Sequence, residues 1–352
     1  MKYPLHVIIR KKISALFNGF LSLFRFQKET KQYVDSNEIK NILIIRPNYR
    51  IGNLIFLTPL INELNKQLPD AKIDIIVGMK LAGEILEPMP NVDQVIDIPR
   101  KLLMHPIELY DYIKKARSKK YDIALNISGK STSAQIVTLL TKAKYKASFD
   151  NDKLWVKFTH IQKQLRIYTH MGLRSLEFLS FFNIPLPKKT PTLDIKLTKS
   201  EIQKAQEDLK QLTIKHPNKK IIAMFRNARF DKKIADEWWS EWVKELLKDK
   251  DVVIIDILSP DIPEKLNDDL LSYSNKNLRI LGAFFKACDL YVSADTGPMH
   301  LAVASGAKVL ALFNKTNIDL YGTLGDKNKT IDIENLTLNE VVAITKSCLN
   351  NK

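Results

Sequence analysis

Short apolar runs alternate with longer amphipathic stretches along most of this chain. A run of β-branched and other apolar residues bounded by polar positions predicts a buried strand, whereas apolar residues at three- and four-residue spacing predict a helix. The predicted strands lie at residues 41–46, 72–78, 94–99, 121–128, 145–149, 219–225, 251–258, 290–294 and 308–313, with a further short apolar run at 278–281. Because helical stretches separate these runs, the pattern predicts parallel βαβ units, which build doubly wound α/β sheets.

A proline-rich stretch at residues 183–197 divides this alternation into two series. Such a stretch is typical of an interdomain linker. The predicted divisions are a basic N-terminal segment at 1–36, a Rossmann-like domain at 37–185, a linker at 186–198 and a second Rossmann-like domain at 199–352. Ligands of open α/β sheets bind outside the carboxyl ends of the strands. The expected site is therefore the cleft between the two domains.

Charge narrows the possible partners. The chain has 352 residues, of which 45% are apolar, and a formal net charge of +16. This excess indicates a nucleic acid, an anionic membrane or a phosphorylated substrate, and the alternative is a solvated lysine-rich surface. No nucleic-acid recognition module is recognisable, so no nucleic-acid partner is expected. Cys288 and Cys348 form neither a disulfide framework nor a metal-binding spacing, which favours a reducing compartment.

The N-terminal stretch at residues 7–28 is basic at both ends and apolar between them. Its apolar residues recur at helical spacing and are Ile9, Ile13, Leu16, Phe17, Phe20 and Phe24. A signal peptide is disfavoured because Arg25 and Lys28 follow directly, without a small-residue cleavage site. No stretch is long and apolar enough to span a bilayer. The pattern predicts a basic amphipathic helix on a membrane surface, and the alternative is a helix packed on the protein's own core.

The most specific polar cluster is "SADTGPMH", which stands between two predicted strands. Pro298 suits the first turn of a helix, and Asp295 or Thr296 can cap that helix. Gly297 lets a ligand approach the backbone closely, and the N-terminus of the helix favours an anion such as phosphate. His300 lies one turn further along and can face the same place. The alternative is an ordinary capped helix with a core histidine.

The stretch "RPNYRIGNLIFLTP" follows the first predicted strand. Gly52 precedes Asn53 at the opening of a helix, and Arg46 and Arg50 add positive charge. The stretch is neither a Walker sequence nor a complete dinucleotide-binding motif. Taken alone, it is also compatible with a glycine turn between solvated arginines.

The stretch "FRNARFDKKIADEWW" follows the first strand of the second series. It gathers Arg226, Arg229, Lys232 and Lys233 in a loop before an aromatic-rich helix. A basic loop of this kind suits a diphosphate. The alternative is a loop whose charges are simply solvated.

These stretches carry a family resemblance. "SADTGPMHLAVASGAKVLALF" closely resembles the nucleotide-sugar motif of glycosyltransferase family 9, the lipopolysaccharide heptosyltransferases. "ILIIRPNYRIGNLIFLTPLINELNKQLPDAKIDIIVG" resembles the N-terminal motif of that family, and "KKIADEWWSEWVKEL" resembles its central lysine–tryptophan segment more loosely. The resemblance extends in order from Ile42 to Phe313. It implies a GT-B fold, in which two Rossmann-like domains face each other across a cleft, the first for the acceptor and the second for the nucleotide sugar.

The resemblance also implies an activity. It is the inverting, metal-independent transfer of a sugar from a nucleoside diphosphate to the lipopolysaccharide core or a related membrane-linked glycan. The default donor is ADP-heptose, which is a substrate, so that no cofactor is implied. The implied partners are the nucleotide sugar, a lipid-linked saccharide and an anionic membrane surface. The implied location is peripheral, on the cytoplasmic face of the inner membrane.

Site residues follow from the same resemblance. Asp295, Thr296, Gly297 and His300 fall on the donor-phosphate motif, and Lys232 falls on the lysine that contacts phosphate, with Lys233 as the alternative. Arg46, Arg50, Gly52 and Asn53 fall on the acceptor side. A helix N-terminus, a hydroxyl and a lysine would stabilise the negative charge that the leaving diphosphate gains as its bond breaks.

The chain departs from the family pattern at two places. The family usually has an aspartate base where this chain has Asn53, which cannot accept a proton at neutral pH. Another group such as His300 is then the base, or Asn53 only positions the acceptor, or the chain is a weak or inactive relative that binds a nucleotide sugar or a partner enzyme. The family also has a glycine-pair loop and an acid for the ribose, and here Asp256 or Asp261 would replace that acid.

Overall fold

The computed structural model describes residues 33–98, 110–112, 114, 115, 117, 119–151, 154 and 156–350. These residues form two six-stranded sheets in which every strand pairs with its neighbours in parallel. The amphipathic helix predicted at 7–28 lies outside the described residues. No helix within the described ranges is long and apolar enough to cross a membrane.

The first sheet has the strand order β3-β2-β1-β4-β5-β6. Its strands are β1 (Asn41–Ile45), β2 (Lys72–Val77), β3 (Val92–Asp97), β4 (Tyr121–Asn126), β5 (Ala143–Phe149) and β6 (His160–Gln162). Residues Ile42 to Ile45 of β1 are fully buried, as expected for a central parallel strand covered on both faces. The chain turns from one half of the sheet to the other between β1 and β4, which makes their carboxyl ends a topological switch point.

Among the residues that the structure describes, four helices with defined bounds accompany this sheet in sequence. They are α1 (Ile51–Ile55), α2 (Thr58–Gln67), α3 (Leu81–Leu86) and α4 (Thr132–Leu140). The apolar positions of residues 53–70 recur at helical spacing and predict one long helix there, but the structure has two shorter ones. Pro59 explains the break, because it has no N–H to donate to the carbonyl of Ile55, four residues earlier.

The second sheet repeats the first arrangement, with the order β12-β11-β10-β7-β8-β9. Its strands are β7 (Lys220–Phe225), β8 (Val252–Ile257), β9 (Leu271–Tyr273), β10 (Leu290–Ala294), β11 (Val309–Phe313) and β12 (Lys329–Asp332). Its helices are α5 (Lys199–Leu212), α6 (Asp236–Leu246), α7 (Leu278–Ala287), α8 (Gly297–Ala304), α9 (Ile318–Tyr321) and α10 (Leu338–Asn350). The 3₁₀ helices within the described ranges are Ser36–Glu38, Arg174–Phe182, Phe230–Lys232 and Ile333–Asn335. Trp239 and Trp242 of α6 are fully buried in the core of this second sheet.

The apolar run at 278–281 is not a strand but the first turn of α7. Asn277 caps this helix, because its side-chain oxygen accepts from the backbone N–H groups of Arg279 and Ile280, at 2.9 and 3.1 Å. Arg279 then turns back to the chain before α5. Its guanidinium donates to the carbonyl of Ile195 at 2.8 Å and lies 2.5 Å from Glu201. A helix cap and a buried ion pair therefore decide the structure of this apolar run.

Contacts divide the chain into two units. The first comprises residues up to Tyr49, Leu60–Ile167 and Ser175–Lys188, and the second comprises Arg50–Pro59, Tyr168–Arg174 and the chain from Lys189 onward. The predicted boundaries at 37–185 and 199–352 stay a prediction. The contacts differ from a simple division in two places, because two short segments from the first half of the sequence pack with the second unit.

Candidate active site

The "SADTGPMH" cluster lies where β10 ends and α8 begins, at the carboxyl edge of the second sheet. Thr296 occupies the N-cap of α8 with an extended backbone, and its side chain makes no capping hydrogen bond. Pro298 lies in the first turn, where a residue without an N–H is well tolerated. The N–H groups that open α8 therefore have no side-chain acceptor at the cap and can bind an anion.

A C-terminal cap ends α8 at a defined residue. Gly306 has a φ of +79°, which a glycine adopts without steric cost. The N–H of Gly306 donates to Val303 and the N–H of Ala307 donates to Ala302, both at 3.0 Å. This double closure is a Schellman motif, and it turns the chain directly into β11.

A lysine from another loop meets this edge. Lys232 ends a short 3₁₀ turn and its ammonium donates to a carboxylate oxygen of Asp295, which is 8% exposed. The turn is held beside β11 because the side-chain amide of Asn314 donates to the carbonyl of Asp231 at 3.3 Å. Lys232 is about one-third exposed, so its ammonium is within reach of a ligand that binds at this edge.

The side chain of the neighbouring Lys233 points to a different carboxylate. Its ammonium lies 3.9 Å from a carboxylate oxygen of Asp236, and its side chain is 47% exposed. Of the two lysines that the sequence leaves as alternatives, Lys232 is therefore the one that contacts the "SADTGPMH" cluster.

His300 is buried beneath the opening of α8. Its ring meets the ring of Phe56 edge-on, at a centroid distance of 4.6 Å, and its Nδ1 has no hydrogen-bond partner among the described residues. Burial lowers the pKa of His300 to about 4, and the carboxylate of Asp295 opposes that shift only in part. The imidazole is therefore neutral at neutral pH and offers hydrogen bonding rather than positive charge.

Two glycines bring α1 against α8. A Cβ atom on Gly52 would lie 2.8 Å from Cδ2 of His300, and a Cβ atom on Gly297 would lie 2.5 Å from Cγ2 of Ile51. Both distances are shorter than van der Waals contact, so only glycine fits at these positions. The contact brings the half-buried Asn53, the residue after Gly52, next to the first turn of α8.

The predicted acceptor-side residues are divided between the two units. Arg50 is exposed and forms the N-cap of α1, so that it belongs with Gly52 and Asn53 in the second unit. Arg46 belongs to the first unit, where its backbone N–H donates to the carbonyl of Ile76 at 2.9 Å.

His170 is a buried residue of this region that the sequence does not reveal. Its Nδ1 accepts from the N–H of Gly172 at 3.0 Å, so the proton is on Nε2, which donates to the carbonyl of Gly322 at 2.8 Å. Burial lowers the pKa of His170, and its ring meets Phe56 at a centroid distance of 5.8 Å. Phe56 therefore packs against both histidines. The surrounding sequence, "IYTHMGL", contains no pattern that predicts this contact.

Asp256 is the buried one of the two acids predicted to contact the nucleoside. It is fully buried, and its Oδ2 accepts from Nε of Arg226 at 3.1 Å and from the N–H of Leu266 at 2.8 Å. Burial raises the pKa of Asp256 despite the guanidinium. Oδ2 of Asp256 is thus engaged by two donors inside the protein, and a nucleoside contact by this residue stays a prediction. Arg226, which the sequence places in a basic loop suited to a diphosphate or simply solvated, is likewise buried and also donates to the carbonyl of Glu264.

Asp261 is the accessible one of the two predicted acids. It is exposed and lies in the loop after β8. This loop lines a cavity of about 480 Å³ at the carboxyl edge of the second sheet. The lining residues are Arg226, Lys233, Asp236, Glu237, Ser240, Asp261, Ile262, Pro263, Glu264, Lys265 and Leu266. The described residues contain no group of three or more histidine, cysteine or acidic side chains that could hold a metal ion.

Comparison with known proteins decides the family. The sequence model of glycosyltransferase family 9 (heptosyltransferase) matches residues 109–349, more than half of the chain. The chain belongs to glycosyltransferase family 9. As a member of family 9 it is a glycosyltransferase of the heptosyltransferase type, as the motifs predict.

Relatives within family 9 are distant. Lipopolysaccharide heptosyltransferase 3 of Escherichia coli is 24% identical over 76% of this chain and 81% of its own length. Lipooligosaccharide heptosyltransferase 2 of Haemophilus influenzae is 22% identical over 82% of this chain and 87% of its own length. These identities leave the details of donor and acceptor to be argued from this chain's own residues.

Solved structures agree with the fold. The E. coli heptosyltransferase WaaC with ADP superimposes with a TM-score of 0.72 at 20% identity, over 88% of this chain and 99% of the other. A family 9 glycosyltransferase from Veillonella parvula gives the same TM-score at 17% identity, over 88% of this chain and 97% of the other. The prediction of a GT-B fold with two Rossmann-like parallel sheets is thereby confirmed.

Proposed function

We propose that this family 9 member transfers a heptose from ADP-heptose to the lipopolysaccharide core or a related lipid-linked saccharide, with inversion and without a metal ion. The observation that carries the proposal is the opening of α8. There, the ammonium of Lys232 meets Asp295 at an uncapped helix N-terminus, whose N-cap residue Thr296 makes no capping bond with its hydroxyl.

The chemistry of the leaving group explains why these residues suit the reaction. As the bond between the sugar and the diphosphate breaks, negative charge accumulates on the diphosphate oxygens. Donors held in place before the reaction stabilise this charge more than they stabilise the bound substrate, and so lower the barrier. Asp295 would repel the diphosphate, but its ion pair with Lys232 offsets its charge.

The nucleotide is inferred to be ADP. The name of one structural relative, the E. coli heptosyltransferase WaaC with ADP, identifies the nucleotide that relative binds. In this chain the exposed Asp261 is the more accessible candidate for the ribose, because Oδ2 of Asp256 is engaged by Arg226.

The acceptor side is inferred from Asn53, which stands next to the contact between Gly52 and His300. The side-chain amide of Asn53 can position an acceptor hydroxyl but cannot take its proton. The neutral ring of His300 is a weak base, since its pKa is near 4, and we assign it to shaping the diphosphate site. The net charge of +16 fits an anionic acceptor and peripheral attachment to the cytoplasmic face of the inner membrane.

Isothermal titration of the full chain with ADP, UDP, GDP and CDP tests the donor assignment. We expect ADP to bind most tightly, and Lys232→Met to weaken ADP binding by roughly tenfold or more, because a hydrogen bond to a charged group is lost. Lys244→Met is the matched control and should change the affinity by less than about twofold, since Lys244 is exposed on α6 and does not line the cavity beside Asp261. Equal effects of the two substitutions, or tighter binding of another nucleotide, would refute this donor assignment.

Asn53 also supports a second candidate function, a catalytically weak relative that binds the nucleotide sugar without efficient turnover. This candidate predicts the same ADP binding but no transfer. It is distinguished by restoring the carboxylate with Asn53→Asp, which should gain nothing in a degenerate site.

A further inference from the structure

We propose a second anion site in the first unit, at the opening of α4, which binds a phosphate group of the acceptor. The inference rests on the proposed function, because it takes for granted that the chain binds an acceptor. It adds that this acceptor carries a phosphate group, which binds away from the donor diphosphate. The residues that form it are Asn126 at the end of β4, the turn Ser128–Lys130 and the N-terminus of α4.

The position of Asn126 follows from the register of the first sheet. Asn126 pairs with Ile45, so the last residues of β4 and β1 stand side by side at the switch point of the sheet. Ala124, two residues earlier, belongs to the same core cluster as Ala134 and Val137 of α4. Since side chains alternate along a strand, Asn126 lies on the face that α4 covers, one step nearer the opening of that helix.

The side chain of Asn126 is the independent indication of a ligand. It is 1% exposed, yet neither its Oδ1 nor its Nδ2 has a hydrogen-bond partner among the described residues. Buried polar side chains are nearly always hydrogen-bonded. An amide with both atoms unpaired at the carboxyl end of a central strand is accounted for by a ligand that supplies the partner.

The turn between β4 and α4 has the composition of an anion-binding loop. It reads "ISGKST", so a glycine and a lysine directly precede two hydroxyl residues at a helix N-terminus. Ser131 is the N-cap of α4, and its Oγ accepts from the N–H of Ala134 at a long 3.4 Å. An anion at this turn therefore replaces that hydroxyl as the acceptor for the N–H. Lys130 is exposed and makes no ion pair or hydrogen bond with the residues that the structure describes. Gly129 is held in place, because Nε2 of the buried Gln135 donates to its carbonyl at 3.2 Å.

The second sheet provides a comparison within the same chain. β10 lies beside β7 as β4 lies beside β1, and each is followed by a hydroxyl residue, a glycine and a helix. In the second sheet Thr296 is the N-cap of the helix and makes no capping bond. In the first sheet the Ser128–Gly129 turn lies just before the N-cap Ser131, whose hydroxyl accepts from Ala134. The same topology therefore presents an N-terminal helix turn at both switch points.

Hydrogen exchange of the full chain tests the proposal, with inorganic phosphate as the probe. ADP is added first so that the site at α8 is occupied, and phosphate is then compared with chloride at equal ionic strength. We expect phosphate to slow exchange of the first backbone amides of α4. The predicted loss of affinity for phosphate is about tenfold or more in Lys130→Gln and in Asn126→Asp, which sets a carboxylate against the anion.

The matched control is Lys142→Gln, an exposed lysine just beyond the opposite end of α4, which should leave the phosphate effect unchanged. Because a buried carboxylate in Asn126→Asp can also destabilise the fold, the exposed Lys130→Gln decides the test on its own. Absence of protection at α4, or equal effects of Lys130→Gln and Lys142→Gln, would overturn the second site. If ADP still protects α8 in that case, the proposed donor site survives, whereas loss of both would remove the proposed function itself.

Discussion

At the residue scale, the protonation state of His300 decides whether this residue gives the donor site a positive charge or only a neutral hydrogen-bonding ring. A histidine near a diphosphate is easily taken for a cation, but burial against Phe56 and Gly52 lowers its pKa to about 4. The donors of the site are then the ammonium of Lys232, whose charge Asp295 balances, and the N-terminus of α8 with its dipole. His300 contributes shape and an unpaired ring nitrogen.

This protonation state has a consequence for stability. In the unfolded chain the histidine has a pKa near 6.5, so between about pH 6.5 and pH 4 the unfolded state binds a proton that the folded state does not. The free energy of unfolding should therefore fall with decreasing pH in that window, by on the order of a few kcal/mol from this residue. Urea unfolding across that range should give a shallower pH dependence for His300→Gln than for the natural chain. His160 and His170, whose pKa values burial also lowers, are present in both proteins and cancel. Identical slopes would show that His300 is already charged in the folded state.

The contacts of individual residues also show how much of this site the sequence can predict. The sequence is sufficient to predict the place of Asp295, Thr296 and Gly297, because local spacing decides a strand end and a helix cap. It cannot show that Asp256 is buried under Arg226, since that ion pair joins residues 30 positions apart. His170 is missed for the same reason, as its partner Gly322 is 152 positions away.

At the element scale, the contact between α1 and α8 connects the acceptor-side stretch to the donor motif. Its closeness depends on glycine, because added side-chain atoms at Gly52 would overlap the ring of His300. That ring cannot move away freely, since it is buried against Phe56. The predicted long helix is also divided before Pro59, so that α1 is a separate helix, and it packs with the second unit.

Gly52→Ala is the substitution that tests this contact. We expect a loss of about 1–3 kcal/mol in the free energy of unfolding, typical of overpacking, together with weaker ADP binding because His300 shifts. Gly83→Ala is the control, a helical glycine of α3 whose added methyl would meet only the flexible end of Glu87, at 3.2 Å. It should be neutral or stabilising, since alanine favours a helix by up to about 1 kcal/mol. Thermal or urea unfolding of both variants gives the answer, and an unaffected Gly52→Ala would mean that α1 does not pack on α8 in solution.

At the scale of the whole molecule, the alternation of apolar runs was enough to predict two parallel α/β sheets. The missed strands are β6, β9 and β12, which have only three or four residues each and lie at the edges of the two sheets. None of the three residues of β9 is fully buried, so no apolar run marks it in the sequence. Core strands are predictable because burial dictates their composition, whereas edge strands are held by backbone pairing that composition does not record.

The central claim is that this chain transfers a sugar from ADP-heptose through the diphosphate site at α8. The most direct measurement is mass spectrometry of a heptose-deficient lipopolysaccharide acceptor, incubated with ADP-heptose and the full chain in the presence of EDTA. The account predicts the addition of a heptose, a rate reduced by roughly tenfold or more in Lys232→Met, and a rate equal or higher in Asn53→Asp. If no sugar is transferred by either the natural chain or Asn53→Asp while ADP still binds, the chain is a nucleotide-sugar-binding relative and the claim of transfer is contradicted.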